Sequence, residues 1–600
     1  MAEYIPPLRD MHFALTELAN LPGVLSLPGY EEASADLVDA VLEEAGKFAS
    51  SVLSPLNASG DRQGAKLGTD GVVAAEGFAA AYRQFAENGW ASVTGDPEYD
   101  GQGLPNLLGA VTSEMWNSAN MAFALCPVLT TGAVEAVYAH GSEALKATYL
   151  PNMIAGRWTG TMNLTEPQAG SDLAAVRCRA VPEGDHFLIT GQKIFITWGD
   201  HDMAENVVHL VLARLPDAPE GTRGISLFLV PKYLVNEDAS LGAHNDVVCA
   251  SLEHKLGIHA SPTCVMAFGE NGGAVGYLVG EANHGLNHMF TMMNEARQKV
   301  GIQGVAIAER AYQQARAYAM ERVQGRVFGQ TGNGRLPIIH HPDVRRMLLT
   351  MKSQIEAMRT LSYLVVADVD FAHRHPDADE RAYHQARVEL LTPVLKGWCT
   401  ELGVEIASLA VQVHGGMGFI EETGVAQHLR DSRIAPIYEG TTGIQAADLV
   451  ARKLPMQQGA TIAALIKDMR EVGRAVGSQQ GAECAVIAGR LAEAVDALEA
   501  ASSWILRALP TDPRSALAAS VQYMMLTGYV CMLTGYVCGG WQLARAATAA
   551  ARAEEQDEFL RGKVTTAAFY AEQILPKAAG LAATVQRGAS FADQLAVEQF

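Results

Sequence analysis

The chain has 600 residues, 49% of them hydrophobic and 18% charged, with a formal net charge of −21. That length exceeds one ordinary core and predicts two to four domains. The acidic balance disfavours a general nucleic-acid or anionic-membrane binder. The opening MAEYIPPLRDMHFALTEL has no basic patch followed by an apolar core, so no export signal is expected. Eight scattered cysteines (Cys126, Cys178, Cys249, Cys264, Cys399, Cys484, Cys531 and Cys538) form no CxxC and no metal-ligand spacing, so no metal site is expected. Free thiols of a reducing cytoplasm fit them best.

Residues 1–157 read as a helical domain. YEEASADLVDAVLEEAGKFASSVL and AAEGFAAAYRQFAENGW place apolar residues three and four apart, with Gly and Pro between segments. Residues 158–284 change period. HFLITGQKIFITWG, ENVVHLVLARL, GISLFLVPKYLV and GAVGYLVGE are short β-branched and aromatic runs, predicting a mainly antiparallel sheet or barrel. Residues 285–455 return to helical spacing. Ala308, Tyr312, Ala315 and Ala319 share one face, as do Val344, Leu348, Met351, Ile355 and Met358, which predicts a four-helix bundle. Residues 456–600 form an additional Ala-rich helical domain. The fold class is therefore α+β, mostly α.

From Ser515 to Ala544 no residue is charged, a length that suffices to cross a bilayer. The polar Gln522 and Gln542, with several Gly, favour a buried bundle helix over a membrane span. MLTGYVC occurs twice in tandem there, Met525–Cys531 and Met532–Cys538. A seven-residue duplication rotates a helix face by only about 20° and so lengthens a buried helix without turning it outward.

Three stretches could carry chemistry. TMNLTEPQAGSDLAAV, Thr161 to Val176, reads as a strand ending in a turn whose hydroxyls and amides can hold a polar ligand, or as an ordinary capping loop. GQKIFITWG puts Phe195 and Thr197 on one side of a strand; an aromatic beside a hydroxyl can support a flat heterocycle, or merely pack. VQVHGGMGF carries Gly415, Gly416 and Gly418, where a phosphate or another backbone can approach. A fourth stretch, RIAPIYEGTTGIQ, isolates one carboxylate, Glu439, on a small-residue loop that could equally be a solvated turn.

In order, NLTEPQAGSD, GQKIFIT, KLGIHASPTCVMAF, GYLVGEANHGLNHMFTMMNEAR, QVHGGMGF and IYEGTTGIQ resemble the acyl-CoA dehydrogenase family of flavoenzymes, from about residue 80 to 455. The resemblance implies FAD as cofactor and an acyl-CoA substrate, with Glu439 as the base removing the α-proton. Excluding water around Glu439 would raise its basicity. Gly440 lets the loop carry the carboxylate to substrate, and Arg297 supports it. Met162, Leu164 and Thr165 are implied at the flavin pyrimidine edge. Ser171 is implied near the pyrophosphate and the substrate, and Thr197 at the hydride-accepting nitrogen. Phe195 stands where many members have Trp. Arg322, with Arg326 as competitor in the insertion VQGRVFGQTGNGRLPI, and Gln412 and Gly416 are implied to reach a neighbouring subunit's FAD. Thr441 is a further FAD contact.

A homodimer follows from that sharing, with electron-transfer flavoprotein as the implied acceptor. Residues 456–600 carry 12 Lys+Arg and 14 Asp+Glu. That near-neutral balance suits packing and opposes a DNA-associated flavoprotein of the same fold; no nucleic-acid partner is expected. An acyl-CoA oxidase is the nearer rival, though the terminal AVEQF carries no peroxisomal signal. The expected setting is cytoplasmic, without a transmembrane span and compatible with peripheral membrane association. Medium or long straight-chain fatty acyl-CoA is the favoured substrate, with methylmercaptopropionyl-CoA as the alternative and Met121–Val134 lining part of the acyl pocket.

Overall fold

NVVHLVLAR, Asn206–Arg214, forms a strand with eight of its nine residues buried, the signature of a strand covered on both faces. The computed structural model describes residues 3–327, 335–513, 516–517, 529–587 and 596–599. It divides into two units. A sheet unit comprises Glu44–Leu104 and Met115–Lys299, and a bundle unit comprises Met1–Glu43, Pro105–Glu114 and Val300–Phe600.

The sheet unit holds an eight-stranded sheet. Its strands are β1 (Trp158–Asn163), β2 (Arg179–Glu183), β3 (His186–Thr197), β4 (Asn206–Arg214), β5 (Ile225–Pro231), β6 (Val247–Leu252), β7 (Thr263–Phe268) and β8 (Ala274–Val279). The order is β6-β7-β3-β8-β5-β4-β1, and β2 pairs with both β3 and β4. The pairing path β3-β8-β5-β4-β2 therefore returns to β3, a small closed barrel within the sheet. Pairs are antiparallel except β1 with β4 and the single β2–β4 bridge Arg179↔Arg214. Alternation sorts β4 into two cores. Val211 and Ala213 join Ile189, Phe228 and Met266, while Leu210 and Leu212 join Met153, Ile154, Met289 and Met292 from flanking helices.

The bundle unit is built on the helices Pro342–Arg374 and Ala378–His414, packed with residues 300–321 of the helix Gly285–Glu321. Ala308, Ala315 and Ala319 enter the core with Leu348, Met351, Ile355 and Met358, as their spacing predicts, and Tyr312 packs against it. The additional C-terminal helices are Ala460–Gly477, Ala482–Ala508, Tyr529–Arg552, Glu558–Gln573 and Lys577–Val585. They do not form a core of their own: one apolar cluster runs from Val305 through Trp398 to Val585. At Gly535 a Cβ would stand 2.2 Å from Trp398 Cγ, so only glycine permits that approach.

The second heptad copy, Met532–Cys538, is buried in this core as expected. Most of the first copy, and residues 518–528 of the uncharged segment, lie outside the described residues. Among described residues the one helix long and apolar enough to cross a bilayer is Asn106–His140, and most of its apolar window is buried. The seven described cysteines are free, and no His/Cys/Asp/Glu group among the described residues could hold a metal.

Buried charges knit the bundle unit across long chain distances. Arg359, 1% exposed, pairs with Glu114 at 2.6 Å, Glu309 at 2.8 Å and Asp10 at 2.5 Å. Lys563 joins Asp10 and, at 3.0 Å, Glu356.

Candidate active site

In the sheet unit, the turn after β1 is organised by Glu166, 3% exposed. Its carboxylate accepts from the backbone N–H of Arg177 at 2.7 Å and of Cys178 at 3.0 Å. Lys193 of β3 is fully buried, and its Nζ donates to Glu166 Oε1 at 2.8 Å and to the Leu164 carbonyl at 3.0 Å. Burial alone would raise the Glu166 pKa, but the Lys193 charge and these donors outweigh it and hold the carboxyl below its usual range. Ile194 N donates to Thr165 O at 2.9 Å, which brings the end of β1 against β3.

That contact assembles five sequence candidates along one edge. Met162, Leu164 and Thr165 are half-buried. On β3, Phe195 is 58% exposed, Ile196 is buried and Thr197 is half-buried. The β3–β7 register slips between Cys264 and Met266, and Phe195 sits at φ 60°. A bulge, rather than simple strand alternation, therefore presents the Phe195 ring. Ser171 is exposed on the following turn. Arg297 is 6% exposed; it donates to Asn294 Oδ1 at 3.4 Å and lies 5.9 Å from the Phe290 ring centre.

In the bundle unit, Glu439 lies between the helices Val425–Ser432 and Thr442–Asp448. Its φ is 54°, and Gly440 follows at 85°. A side-chain-bearing residue there costs about 1 kcal/mol, so surrounding contacts must hold it. Lys396, buried, donates to the Gly440 carbonyl at 2.6 Å. Gln445 Nε2 donates to the carbonyls of Glu439 and Gly440 at 3.2 and 3.3 Å. Thr441 Oγ1 accepts from Ile444 N at 3.2 Å and caps the next helix. Tyr438 donates to Gln303 Oε1; burial, and then the Glu439 charge, push its pKa above the ordinary tyrosine value. The half-buried Glu439 carboxyl thus sits on a backbone perch fixed from three directions.

Arg322, Gln412 and Gly416 are all exposed. The helix ends carrying them meet where the Tyr318 and His414 rings stack 4.3 Å apart. Ile338 N donates to Arg322 O at 2.7 Å and Val323 bridges Pro337, so the insertion leaves and rejoins the bundle at one point; its residues 328–334 lie outside the described set. Arg326 is exposed on the same insertion. Nothing stands within 4 Å of a Cβ at Gly415 or Gly416, so the backbone there faces open space. Glu166, Lys193, Lys396 and Gln445 were not singled out by sequence reasoning. Glu166, Lys193 and Gln445 lie inside the quoted motifs, and for Lys193 a charge within an apolar strand is the signal.

Comparison with known proteins agrees along the chain. Residues 38–157, 161–270 and 283–454 match the N-terminal, middle and C-terminal domains of acyl-CoA dehydrogenases, and 460–594 match an acetyl-CoA dehydrogenase C-terminal-like domain. The chain belongs to the acyl-CoA dehydrogenase family of FAD-dependent oxidoreductases. It is 50% identical to the 3-methylmercaptopropionyl-CoA dehydrogenase of Ruegeria pomeroyi, covering 95% of this chain and 96% of that one. It is 33% identical to the broad-specificity linear acyl-CoA dehydrogenase FadE5 of Mycobacterium tuberculosis, over 96% of each. Caenorhabditis elegans ACDH-11, solved with C11-CoA, shares the fold with a TM-score of 0.71 at 20% identity, over 96% of this chain and 93% of that one.

Proposed function

We propose that this enzyme desaturates the α,β-bond of 3-methylmercaptopropionyl-CoA or a similarly short acyl-CoA, with Glu439 as the base. The observation that carries the substrate reading is the 50% identity to the Ruegeria enzyme over nearly the whole of both chains. The sequence alone favoured a medium or long straight chain. FadE5 supports that as a second reading, since it too is matched end to end. Kinetics on the thioether substrate beside a straight-chain series from four to sixteen carbons separates the two. A kcat/KM for a medium- or long-chain fatty acyl-CoA about tenfold above the thioether value rejects the first reading.

Glu439 would take the α-proton, the perch keeping its carboxylate aimed while Lys396 and Gln445 occupy the neighbouring carbonyls. Bound FAD would accept the β-hydride. Thr165, Phe195 and Thr197 would hold the flavin ring edge, with Met162 and Leu164 lining it, and Ser171 would serve the pyrophosphate and substrate. Arg297 would support the base, while Gly440 and Thr441 shape the loop. Arg322, Gln412 and Gly416 would meet a partner subunit's FAD. A homodimer is supported by Met417, Phe419 and Ile420, which leave 48%, 87% and 44% of their surface exposed beside Gly416, a contiguous apolar patch that a second copy would cover. Electron-transfer flavoprotein is the proposed acceptor, and the cytoplasm the proposed setting.

A further inference from the structure

The C-terminal helices carry a second concavity that the reaction does not use. A groove of about 540 Å³ is lined by residues of the helix Tyr529–Arg552 together with Phe13, Val472 and Leu560. Its lining mixes apolar residues, among them Phe13, Val472 and Leu560, with the polar Thr548 and charged groups. The volume falls in the range of small-molecule sites. Arg545 and Arg552 also line it, seven residues apart on one helix and so about 10 Å along the groove.

Arg545 is the unusual element. It donates to the Leu18 carbonyl at 2.7 Å and to Gln542 Oε1 at 2.9 Å, both neutral acceptors. The Trp541 ring lies 5.7 Å away. Among described residues no carboxylate comes within ion-pair distance of it. Burial, with Arg387 nearby, pulls its pKa down to about 10, so it still carries its charge at neutral pH. A half-buried guanidinium whose nearest carboxylates, Asp368 and Asp468, act on it from beyond ion-pair distance leaves room for an anion in direct contact. Arg552 is exposed and also has no ion-pair partner among the described residues. The sole carboxylate in the lining, Glu17, is exposed.

We propose that this groove binds an amphiphilic monocarboxylate, an aliphatic chain bearing one carboxylate, with Arg545 as its counter-ion. The planar fork of arginine matches a carboxylate with two parallel hydrogen bonds. The apolar part of the lining, Phe13, Val472, Ala475, Ala549, Ala553 and Leu560, takes the chain. Glu17, in the same lining, disfavours a polyanion. This site stands apart from the proposed reaction and does not depend on it.

The test is calorimetric titration of the purified holoenzyme with octanoate, with octan-1-ol and inorganic phosphate as separate arms. Octanoate is expected to bind, octan-1-ol to bind at least about tenfold more weakly, and phosphate not to displace octanoate. Arg545→Gln is expected to weaken octanoate about tenfold or more. Because Arg545 also holds the Leu18 carbonyl, Ala549→Phe serves as a second variant: it fills the groove with Arg545 intact and is expected to give the same loss. Glu439→Gln is expected to leave octanoate affinity unchanged. Absence of binding at millimolar octanoate, equal affinity in wild type and Ala549→Phe, or displacement by phosphate would each overturn the proposal.

Discussion

Glu439, the proposed base, is held at φ 54°, a conformation that glycine adopts without strain. Glu439→Gln keeps shape and backbone and removes only the base. We expect the variant to bind yellow flavin but to lose bleaching by acyl-CoA at least about 10³-fold in rapid mixing; bleaching at the wild-type rate rejects the assignment. Glu439→Gly removes both base and strain, so it is expected to be equally inactive yet to melt at a higher temperature than Glu439→Gln, by about 1 kcal/mol in stability. Glu166 offers the opposite case, a buried acid with a structural task. Glu166→Gln leaves the Lys193 charge without its partner and is expected to cost about 3–5 kcal/mol in thermal unfolding, with Lys193→Met in the same chain restoring much of the loss. Glu439 could be proposed from sequence because the motif that carries it is local. The Glu166–Lys193 pair was not, because it depends on β1 meeting β3, 27 positions on.

At the scale of elements, the strand runs of residues 186–279 announced themselves by β-branched composition, and the bundle helices by their apolar period. What the pattern could not show was where a strand departs from regularity. The bulge at Phe195 breaks the alternation on which a same-face reading of Phe195 and Thr197 rests. Nor could it show β2 closing the ring between β3 and β4, since one bridge does that work. Within the sheet unit, Glu135 of the helix Asn106–His140 meets Glu295 of the helix Gly285–Glu321, itself 2.6 Å from Lys299. Burial, and then the Glu295 charge, raise the Glu135 pKa from 4.5 to about 7. The unfolded chain then releases this proton first. Its contribution to stability is therefore present below pH 4.5, declines between about pH 4.5 and 7, and stays lost above that. Glu135→Gln is expected to raise stability by up to about 3 kcal/mol at pH 8 and to leave it unchanged at pH 4, read by urea unfolding at both. An equal effect at the two pH values contradicts the assignment.

For the whole molecule, the C-terminal helices share the apolar core of the bundle, so a chain cut after residue 455 exposes the Trp398 face. It is expected to be insoluble on expression, whereas a separable domain would leave a soluble flavoprotein. Phe419→Asp is expected to convert the proposed dimer to monomers that release FAD on gel filtration. The charge cluster has a further consequence. Asp10 waits for Lys563, 553 positions later. At a translation speed of roughly 5–20 residues per second, the first helix would emerge about half a minute or more before its partner is made. Until then Asp10 has Arg359 alone and Glu356 has Lys352 alone, each lacking the shared Lys563 that joins them in the finished bundle. Ribosome-bound chains ending near residue 550 should be digested by protease at the amino-terminal helix, and chains released at full length should resist.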